Sequence, residues 1–551
     1  MIIMIISFRI KTTTDYPDLT EATPSPSIRE GNLARERGVG RTMCRRYLYT
    51  ENQTKTRFYL LLCSLIRIFA NQSNYQRMIT TERVFQIFKE LNQIPRPSHH
   101  EEQVANYLCQ FAERLQLPYK RDDENCVVIS KPATPGHEGA EPIVLLNHMD
   151  MVCVGMSDPL NTPIEAYTEN GWMKARGTSL GADNGIGLSM ALAVLEDDSI
   201  AHPALEVITT TNEEDGMSGA SALSKDFLKG RKVINLDSED YDTITTGAAG
   251  ACLQFHRIPM KREPVPQGKH RWYRIRFEGG QGGHSGVDIN KGRCSAVVAM
   301  WAILAAIYNE YDFHVGAINL GEANASIASS ADITVCVPSG EACEYVKAQQ
   351  EMMNEWLHEE YPKDAKMACS IEKCEPLDTV IAVEAFEALM SCLEQIPQGV
   401  VKMSDAMPGT VETSNNVGRI TTEKDHIFVS THTRSFIDDD MAALSRQIAD
   451  TFKEYGAQSE VVMSAPAWQE DQQSPFLQLV NNTFQDVLGW RPRMVAMHFV
   501  LEAGFFVQHY PGIQIASIGP RIVEPHSTSE RVELSTIEDI WKVLIELLKR
   551  L

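Results

Sequence analysis

The sequence predicts an α/β fold with a mostly parallel sheet flanked by helices, interrupted by an inserted α+β domain. Short apolar runs alternate with helical patterns over residues 143–237, as expected for parallel strands buried on both faces. After Gly247 the pattern changes to strands in which apolar and polar residues alternate, separated by longer helical stretches. The first pattern returns near the end of the chain. One domain inserted within another fits this order.

The individual elements can be taken in chain order. The first pattern consists of strands at residues 143–146, 205–209 and 233–236 and a helix at residues 187–195. The second consists of strands at residues 272–277 and 332–337 and helices at residues 296–308 and 341–360. A strand at residues 514–518 and a closing helix at residues 536–551 restore the first. With 551 residues, the chain is longer than a single core usually organises. We therefore predict one domain made of residues 78–249 and 467–551, and an inserted domain over residues 250–466.

Residues 1–77 differ in composition from the rest. They carry 12 Lys and Arg against 6 Asp and Glu, a net charge of +6. Because the whole chain has a net charge of −22, the remaining residues together carry −28. Their apolar stretch, residues 58–70, contains Arg67 and is shorter than the ~20 residues that a membrane-spanning helix needs. An amphipathic helix begins after residue 78, with Val84, Phe88 and Leu91 at helical spacing. We predict that residues 1–77 are a disordered leader or the product of an upstream start codon.

Composition excludes two classes of partner. A formal net charge of −22 would repel nucleic acid and anionic membrane surfaces, because both require a basic binding surface. The 12 cysteines are scattered and form no CxxC pair, which is typical of reduced thiols in a cytosolic protein. We therefore predict a cytoplasmic protein without a nucleic-acid or membrane partner.

Polar side chains follow the predicted strands of the first domain where each strand ends. His148 and Asp150 lie two residues apart after the strand at 143–146, so a strand would place them on one face. A metal-bound histidine commonly donates its second ring N–H to a carboxylate, which makes this pair suitable for a metal site. Taken alone, the pattern is more typical of a polar strand end at the surface than of a metal site.

A glycine-rich turn at residues 181–187 places Asp183 at the start of a helix. A phosphate-binding loop would offer glycines and basic residues, whereas this turn offers a carboxylate where an anion would have to lie. The turn therefore argues against phosphate binding. The two oxygens of one carboxylate can instead bridge two cations.

Three more acids and one imidazole complete the set. Glu213 and Glu214 follow the strand at 205–209, Asp237 follows the strand at 233–236, and His526 precedes the last helix. Crowded carboxylates repel each other and are tolerated only with solvation or a cation, so a solvated acidic loop and a metal site both remain open. In a metal site, one glutamate would bind the metal and its neighbour would act as general base. Sites in α/β folds form outside the carboxyl ends of strands, where these residues gather.

Taken in this order, the residues resemble the site of the co-catalytic di-zinc aminoacylase and carboxypeptidase family. The flanking segments resemble its aminoacyl-histidine dipeptidase branch, from about Met78 to Leu551. These segments are Asn147-His-Met-Asp150-Met-Val, Gly177-Thr-Ser-Leu-Gly-Ala-Asp183-Asn-Gly-Ile-Gly187, Asn235-Leu-Asp237-Ser-Glu, Gly282-Gly-His284-Ser-Gly286 and Pro525-His526-Ser. The resemblance implies a zinc-peptidase-like catalytic domain interrupted by a lid domain, residues 250–466.

The resemblance also implies a cofactor, namely two divalent metal ions. The mixed nitrogen and oxygen ligand set suits zinc, and cobalt or manganese can occupy it too. Asp183 would bridge both ions. His148 and Asp237 would complete the shell of one ion, and Glu214 and His526 the shell of the other.

Five further residues receive roles from the same resemblance. Glu213 would be the general base and acid, and Asp150 would orient the first histidine ligand. His284, in the inserted domain, would stabilise the tetrahedral oxyanion, and the glycines beside it permit close approach. Arg434 would bind the substrate's carboxylate. Asn324 would contribute a further hydrogen-bond donor.

Two segments depart from the family pattern. The usual Ser-Pro-Asp-Glu after the last histidine is Ser527-Thr-Ser-Glu530 here, and Ala503 stands where cysteine is common. Neither departure removes a ligand, so they bear on substrate preference and not on hydrolysis. The histidines outside these motifs are interpreted as structural or surface residues; they include His99, His100, His432 and His498.

The function that the resemblance implies is hydrolysis of dipeptides, short peptides of the Xaa-His type being preferred. An aminotripeptidase or an N-acyl amino acid deacylase with the same metal site remains an alternative. A non-catalytic binding protein on the same fold is disfavoured, because all five ligands and Glu213 are present. The inserted domain is about twice as long as the lid of many relatives, which suggests a doubled lid. Such a lid would supply His284 within the chain or enlarge a contact between subunits, so a homodimer stays open.

Overall fold

The computed structural model describes residues 81–405 and 407–551. The predicted leader, residues 1–77, lies outside this part of the chain. Within it, no helix combines the length and the apolar character that crossing a membrane requires. The ten cysteines from Cys109 to Cys392 are unpaired.

The helices are given first, in chain order. They are α1 (residues 81–91), α2 (Glu102–Arg114), α3 (Ala182–Glu196), α4 (Ser218–Ala222), α5 (Ala296–Glu310), α6 (Glu341–Glu360), α7 (Val383–Gln395), α8 (Asp438–Glu454), α9 (Pro475–Leu488), α10 (Ala503–His509) and α11 (Leu534–Arg550). A single turn of 3₁₀ helix covers Pro362–Asp364.

The strands follow in the same order. They are β1 (Tyr119–Arg121), β2 (Val127–Lys131), β3 (Ile143–His148), β4 (Ala166–Glu169), β5 (Trp172–Ala175), β6 (Leu205–Thr210), β7 (Lys232–Asn235), β8 (Thr243–Ala248), β9 (Gly250–Pro259), β10 (Arg262–Pro264), β11 (His270–Glu278), β12 (His314–Leu320), β13 (Ala331–Pro338), β14 (Ala368–Lys373), β15 (Thr379–Ile381), β16 (Gly399–Met403), β17 (Val411–Thr422), β18 (His426–Ser435), β19 (Gln458–Ala465), β20 (Trp468–Gln469), β21 (Arg493–Met497), β22 (Gln514–Ser517), β23 (Ile522–Val523) and β24 (Arg531–Glu533).

The first sheet has nine strands, in the order β1-β2-β6-β3-β7-β22-β8-β20, with β21 paired to β8. Its centre is parallel: β3 lies between β6 and β7, and β22 continues the sheet beyond β7. Antiparallel strands flank this centre. The parallel centre of the sheet, with helices between its strands, confirms the predicted α/β fold class.

The first sheet is covered on both faces. Ile143 and Leu145 of β3 join the core that contains α1, α2 and α3, whereas Val144 and Leu146 join the core that contains α10. Because alternate residues of a strand point to opposite faces, the strand reads as a continuous apolar run. Its carboxyl end is the first point at which polar side chains appear.

The second sheet takes its nine strands from residues 250–465 and is antiparallel throughout, in the order β14-β11-β13-β12-β17-β18-β9-β19, with β16 paired to β17. It consists of two halves with one topology. The first half runs β11, α5, β12, β13, α6, β14, and the second runs β9, α7, β17, β18, α8, β19. The spatial order of the strands matches as well, since β14-β11-β13-β12 corresponds to β19-β9-β18-β17. The halves meet where β12 pairs with β17.

Candidate active site

The predicted metal ligands gather at the carboxyl ends of the parallel strands of the first sheet. His148 is the last residue of β3, Glu213 and Glu214 follow β6, and Asp237 follows β7. These three strands are neighbours in the sheet, so their ends meet at one edge. His148 and Asp237 stand at or within two residues of the ends of apolar strands, whereas Glu213 and Glu214 lie three and four residues beyond the end of β6.

Asp183, the second residue of α3, lies between two imidazoles. Its Oδ1 is 3.1 Å from Nε2 of His148, and its Oδ2 is 3.3 Å from Nε2 of His526. His526 comes from the loop between β23 and β24. One carboxylate therefore contacts two histidines that lie far apart in the sequence.

Each of these histidines contacts a second carboxylate of its own. Nε2 of His148 is 3.3 Å from Oδ1 of Asp237, and Nε2 of His526 is 2.9 Å from Oε2 of Glu214. Ligand atoms of His148, Asp183 and Glu214 all lie within 4.8 Å of one another, close enough to share a cation. The five predicted ligands thus form two groups joined at Asp183.

Asp150 organises the side of the site next to His148. Its Oδ1 is 3.4 Å from Nδ1 of His148 and accepts the backbone N–H of Glu213 at 3.1 Å. Its Oδ2 accepts the Ser98 hydroxyl at 2.8 Å and the backbone N–H of Glu214 at 3.2 Å. One buried carboxylate therefore contacts both the imidazole and the backbone of the two consecutive glutamates.

The pKa values of the two histidines are raised by the surrounding acids. Burial would lower the pKa of His148, but the carboxylates of Asp237, Asp150 and Asp183 raise it well above its usual range. Hydrogen bonds with Asp183 and Glu214 raise the pKa of His526 to about 11. Negative charge therefore exceeds what the two histidines balance.

The acids share this excess. Burial, together with the nearby Asp237 and Glu502, raises the pKa of Glu213 well above its usual range. Burial and Asp183 raise the pKa of Glu239 to about 8, and burial raises that of Glu502 to the same value. Such crowding is tolerated when a cation neutralises it. The donor set, two imidazoles and several carboxylates, is what divalent zinc or manganese binds, so these residues fit a metal centre.

Comparison with known proteins identifies the family of the chain. Residues 144–550 match the profile of peptidase family M20/M25/M40. The chain belongs to peptidase family M20/M25/M40. It is therefore a peptide-bond hydrolase, and the family resemblance inferred from the sequence motifs is confirmed.

Two relatives of this M20 peptidase are similar over most of their length. The cytosol non-specific dipeptidase of Escherichia coli (strain K12) is 34% identical over 480 residues, which cover 86% of this chain and 98% of that protein. The crystal structure of aminoacylhistidine dipeptidase from Vibrio alginolyticus is 33% identical, with a TM-score of 0.79 over 85% of this chain and 96% of that one. The structure of aminopeptidase PepT from Bacillus cereus shares the fold, with a TM-score of 0.54 at 18% identity.

The second sheet of this M20 peptidase carries the remaining predicted residues. His284 lies in the loop between β11 and α5, and Asn324 lies between β12 and β13. The two loops are paired, since Ser285 donates its N–H to Ala325 and Ile327 donates its own to Gly283. The structure thus brings His284 and Asn324 onto adjoining loops. The side-chain oxygen of Asn324 is buried and has no hydrogen-bond partner among the described residues.

Arg434 lies on β18 among neutral polar side chains. Its side chain is buried, and its Nη2 donates to the Ser285 hydroxyl at 3.3 Å. Within the described residues it forms no ion pair with an acid, and its Nε has no partner. Burial lowers the pKa of Arg434 to about 10, which still leaves it cationic near neutral pH. A buried cation without an acidic partner is suited to receive an anion.

Two histidines beside Arg434 belong to the same cluster. His432 lies two residues before Arg434 on β18, and its Nδ1 is 3.5 Å from Nη2 of Arg434. Nε2 of His498 forms a hydrogen bond of 2.8 Å with the Ser414 hydroxyl. Burial and Arg434 lower the pKa of His498 to about 3 and that of His432 well below its usual range. We call these three residues and His284 the arginine cluster.

The sequence motifs did not single out four residues that contact this site. They are Ser98, which donates to Asp150; Glu502, which accepts the Thr210 hydroxyl at 2.7 Å; and the histidines His432 and His498. One signal was available for His432, because a strand places it on the same face as Arg434 two residues later. For Ser98 and Glu502 no local pattern pointed to the site.

Proposed function

We propose that this M20 peptidase is a cytoplasmic dipeptidase that holds two divalent metal ions, most readily zinc, and prefers dipeptides of the Xaa-His type. The observation that carries the metal assignment is the position of Asp183, whose two oxygens each lie near a different histidine. His148 and Asp237 would hold one ion, and Glu214 and His526 the other. The names of the two similar dipeptidases support the substrate class, and that of the Escherichia coli relative supports the location.

Glu213 is the proposed general base and acid. When bound, the ions would polarise the scissile carbonyl and lower the pKa of water beside it. Glu213 would take a proton from that water at its carboxylate and pass it to the leaving amine. Its surroundings support this role, because burial and neighbouring acids raise its pKa and so favour proton uptake. Asp150 holds the backbone of Glu213 and orients His148.

His284 is the proposed oxyanion donor, and its hydrogen bonds fix the ring tautomer. Nδ1 accepts the backbone N–H groups of Gly286 and Val287, both at 3.1 Å. The ring proton of the neutral form therefore resides on Nε2, the nitrogen that is free to donate to substrate. Burial and Arg434 lower the pKa of His284 to about 4, so the ring remains a neutral donor at physiological pH.

Arg434 would bind the C-terminal carboxylate of the dipeptide, with Asn324 as a further donor. A guanidinium binds a carboxylate through two parallel hydrogen bonds, and Arg434 has no competing acid among the described residues. Arg434 would therefore hold the C-terminal end of a substrate whose scissile carbonyl lies at the metal ions. That arrangement favours peptides whose scissile bond is close to the C-terminal carboxylate, as in a dipeptide.

Residues 250–466 would form a lid over a catalytic domain of residues 78–249 and 467–551, and His284 would act within its own chain. Gly286 lies against the backbone carbonyl of His498, leaving no room for a side chain. The rings of His284 and Phe499 have centroids 6.2 Å apart. The same segment continues to Glu502, which contacts Thr210 at the end of β6. These contacts link the His284 loop to the end of the first sheet without a second subunit.

The decisive experiment combines metal content with a substrate screen. Metal-depleted and zinc-restored protein would be tested on Xaa-His dipeptides, other dipeptides, tripeptides and N-acetyl amino acids. We expect about two equivalents of metal per chain, as in two-metal sites, and the highest kcat/KM on Xaa-His dipeptides. Full activity without metal would refute the mechanism. Preference for tripeptides or N-acetyl amino acids would replace the substrate assignment and leave the metal centre intact.

A further inference from the structure

A buried glutamate outside the predicted ligand set connects two parts of the metal centre. Glu530 is 3% exposed and lies at the end of the loop that carries His526, residues 524–530, which we call the His526 loop. Its side chain extends to the turn that carries Asp183, residues 180–183, which we call the Asp183 turn. Glu530 thus bonds together two segments almost 350 residues apart.

Both oxygens of Glu530 accept backbone N–H groups of the Asp183 turn. Oε2 accepts from Leu180 at 2.7 Å and from Gly181 at 3.0 Å. Oε1 accepts from Ala182 at 2.8 Å and lies 3.5 Å from the N–H of Asp183. These are N–H groups at the start of α3, which have no partner within the helix and favour a negative charge. A carboxylate can satisfy all of them, whereas an amide offers one acceptor and one donor group.

The opposite side of the Asp183 turn is held by Arg96, which is 1% exposed. Its Nη2 donates to the carbonyl of Gly181 at 2.6 Å, and its Nη1 donates to the carbonyl of Asp150 at 3.0 Å. The turn is therefore fixed through its N–H groups by one charged side chain and through a carbonyl by another. Hydrogen bonds of Arg96 connect the turn to the segment after His148, and hydrogen bonds of Glu530 connect it to the loop that carries His526.

His526 itself is poorly fixed by packing, since its side chain is 44% exposed. The His526 loop has unusual backbone conformations, with φ of 55° at both Glu524 and His526. Residues other than glycine seldom adopt a positive φ unless their surroundings stabilise that backbone conformation. In addition to the contacts of the His526 ring with Asp183 and Glu214, the bonds of Glu530 to the Asp183 turn are buried polar contacts that join this loop to the rest of the metal centre.

We infer that Glu530 is a positioning residue that sets the distance between His526 and Asp183, and hence the affinity of the metal ion held by His526 and Glu214. The inference rests on the proposed two-metal function. Because Arg96 holds the Asp183 turn from the side of His148, the ion held by His148 and Asp237 depends on Glu530 much less. Substitution of Glu530 would therefore weaken the binding of one ion much more than that of the other.

The test compares Glu530→Gln with Glu524→Gln by calorimetric titration of the metal-free proteins with Zn²⁺. Glu524 is the matched control, because it lies in the same loop but is exposed and pairs with Arg531 at the surface. We expect Glu530→Gln to weaken one of two binding steps about 10- to 100-fold, the range found for residues that orient metal ligands, and to change the other by less than about threefold. Glu524→Gln should leave both steps within about twofold of the wild type.

A double-mutant cycle identifies which ion is affected. Combined with His526→Ala, Glu530→Gln should cause little further loss of metal affinity, whereas combined with His148→Ala its full effect should persist. Thermal unfolding of the metal-free variants provides the readout for general destabilisation. If Glu530→Gln does not fold, Glu530→Asp keeps the charge but reaches fewer N–H groups, and a smaller selective loss is expected.

The outcomes separate this inference from the proposed function. A wild-type protein that binds fewer than two metal ions would refute the proposed function. Two ions in the wild type, with both binding steps weakened equally by Glu530→Gln or with neither changed, would overturn the inference alone. Full additivity of Glu530→Gln with His526→Ala would also overturn it.

Discussion

The histidines of the metal centre and those of the arginine cluster have opposite electrostatic surroundings. Carboxylates raise the pKa of His526 to about 11, whereas burial and Arg434 lower the pKa of His498 to about 3. Both kinds of histidine lie in one chain and use the same ring nitrogens. Their surroundings therefore decide which state each ring adopts.

The difference indicates what each region is built to receive. The metal centre has an excess of negative charge, so it is suited to cations. The arginine cluster has a buried cation and neutral rings that accept or donate single hydrogen bonds, so it is suited to the anionic parts of a substrate. A dipeptide undergoing hydrolysis needs both. Substitutions that change one region and not the other test this division.

The largest loss of activity is expected from substitution of Glu213, beside the metal ligands. Glu213→Gln removes the proposed base while keeping the size of the side chain, so kcat should fall about 10²- to 10⁴-fold with metal content unchanged. Steady-state kinetics and elemental analysis of the same preparation would check this. If Glu213→Gln lost metal while Glu214→Gln kept both metal and activity, the roles of the two glutamates would be reversed.

In the arginine cluster, His284→Ala should lower kcat about 10²- to 10³-fold without loss of metal, because a donor to the oxyanion acts on the transition state. A mixture of His284→Ala and Glu213→Gln chains, under conditions that allow subunit exchange, should recover no activity. Recovery in the mixture would mean that His284 acts on a neighbouring subunit.

Away from both regions, His256 in β9 shows the effect of burial alone on the pKa of a histidine. Its ring stacks on Phe452 with centroids 4.0 Å apart and contacts the Thr431 and Ser459 hydroxyls. Burial lowers its pKa from 6.5 to about 4, so the unfolded chain takes up a proton that the folded chain does not. Proton uptake by this histidine does not affect the free energy of unfolding above pH 6.5. As the pH falls towards 4, it lowers that free energy by about 3 kcal/mol.

Hydrogen exchange of β9 and β18 at pH 7 and at pH 4 measures this loss where it occurs. The His256→Gln variant is the control, since its side chain does not titrate and its protection should depend less on pH. Equal pH dependence in the variant and the wild type would contradict the assignment.

The smallest effect concerns the hydrogen-bond geometry of the cation in the arginine cluster. Arg434→Lys keeps the positive charge but loses the two parallel hydrogen bonds, so KM for dipeptides should rise about tenfold with a smaller change in kcat. A dipeptide amide, which lacks the C-terminal carboxylate, is the matched substrate. Its KM should be nearly the same for both proteins. An equal increase for the amide would show that Arg434 supports the fold and not the carboxylate.

The elements that the sequence predicted well are those determined by local pattern. The strand at 143–146 is apolar on both faces because β3 is buried on both, and His148 and Asp237 lie at strand ends where polar residues follow the apolar run. The doubled topology of the second sheet agrees with the length of the inserted segment. Periodicity and length are properties of neighbouring residues, which a sequence records directly.

The supporting contacts could not be predicted in the same way. Arg96 and Glu530 lie before and after the whole of the first sheet in sequence, yet both bond to the Asp183 turn. Their role depends on tertiary contacts across 85 and about 350 positions, and no spacing rule reports such contacts. The sequence pattern predicts a structural or surface position for His498, and only the fold reveals that it is buried beside Arg434.

The backbone pairing between the two halves of the second sheet is short, since β12 and β17 pair through Asn319 with Thr421 and Leu320 with Ile420. Side-chain contacts between α5 and α7, such as that of Trp301 with the carbonyl of Met390, add to it. Two separate molecules joined by so few pairs would come apart as their solution was diluted. Here the halves are connected covalently, so each meets the other at a high effective concentration that is independent of the amount of protein present. The sheet that carries His284 and Arg434 therefore remains complete in a single, isolated copy of the chain.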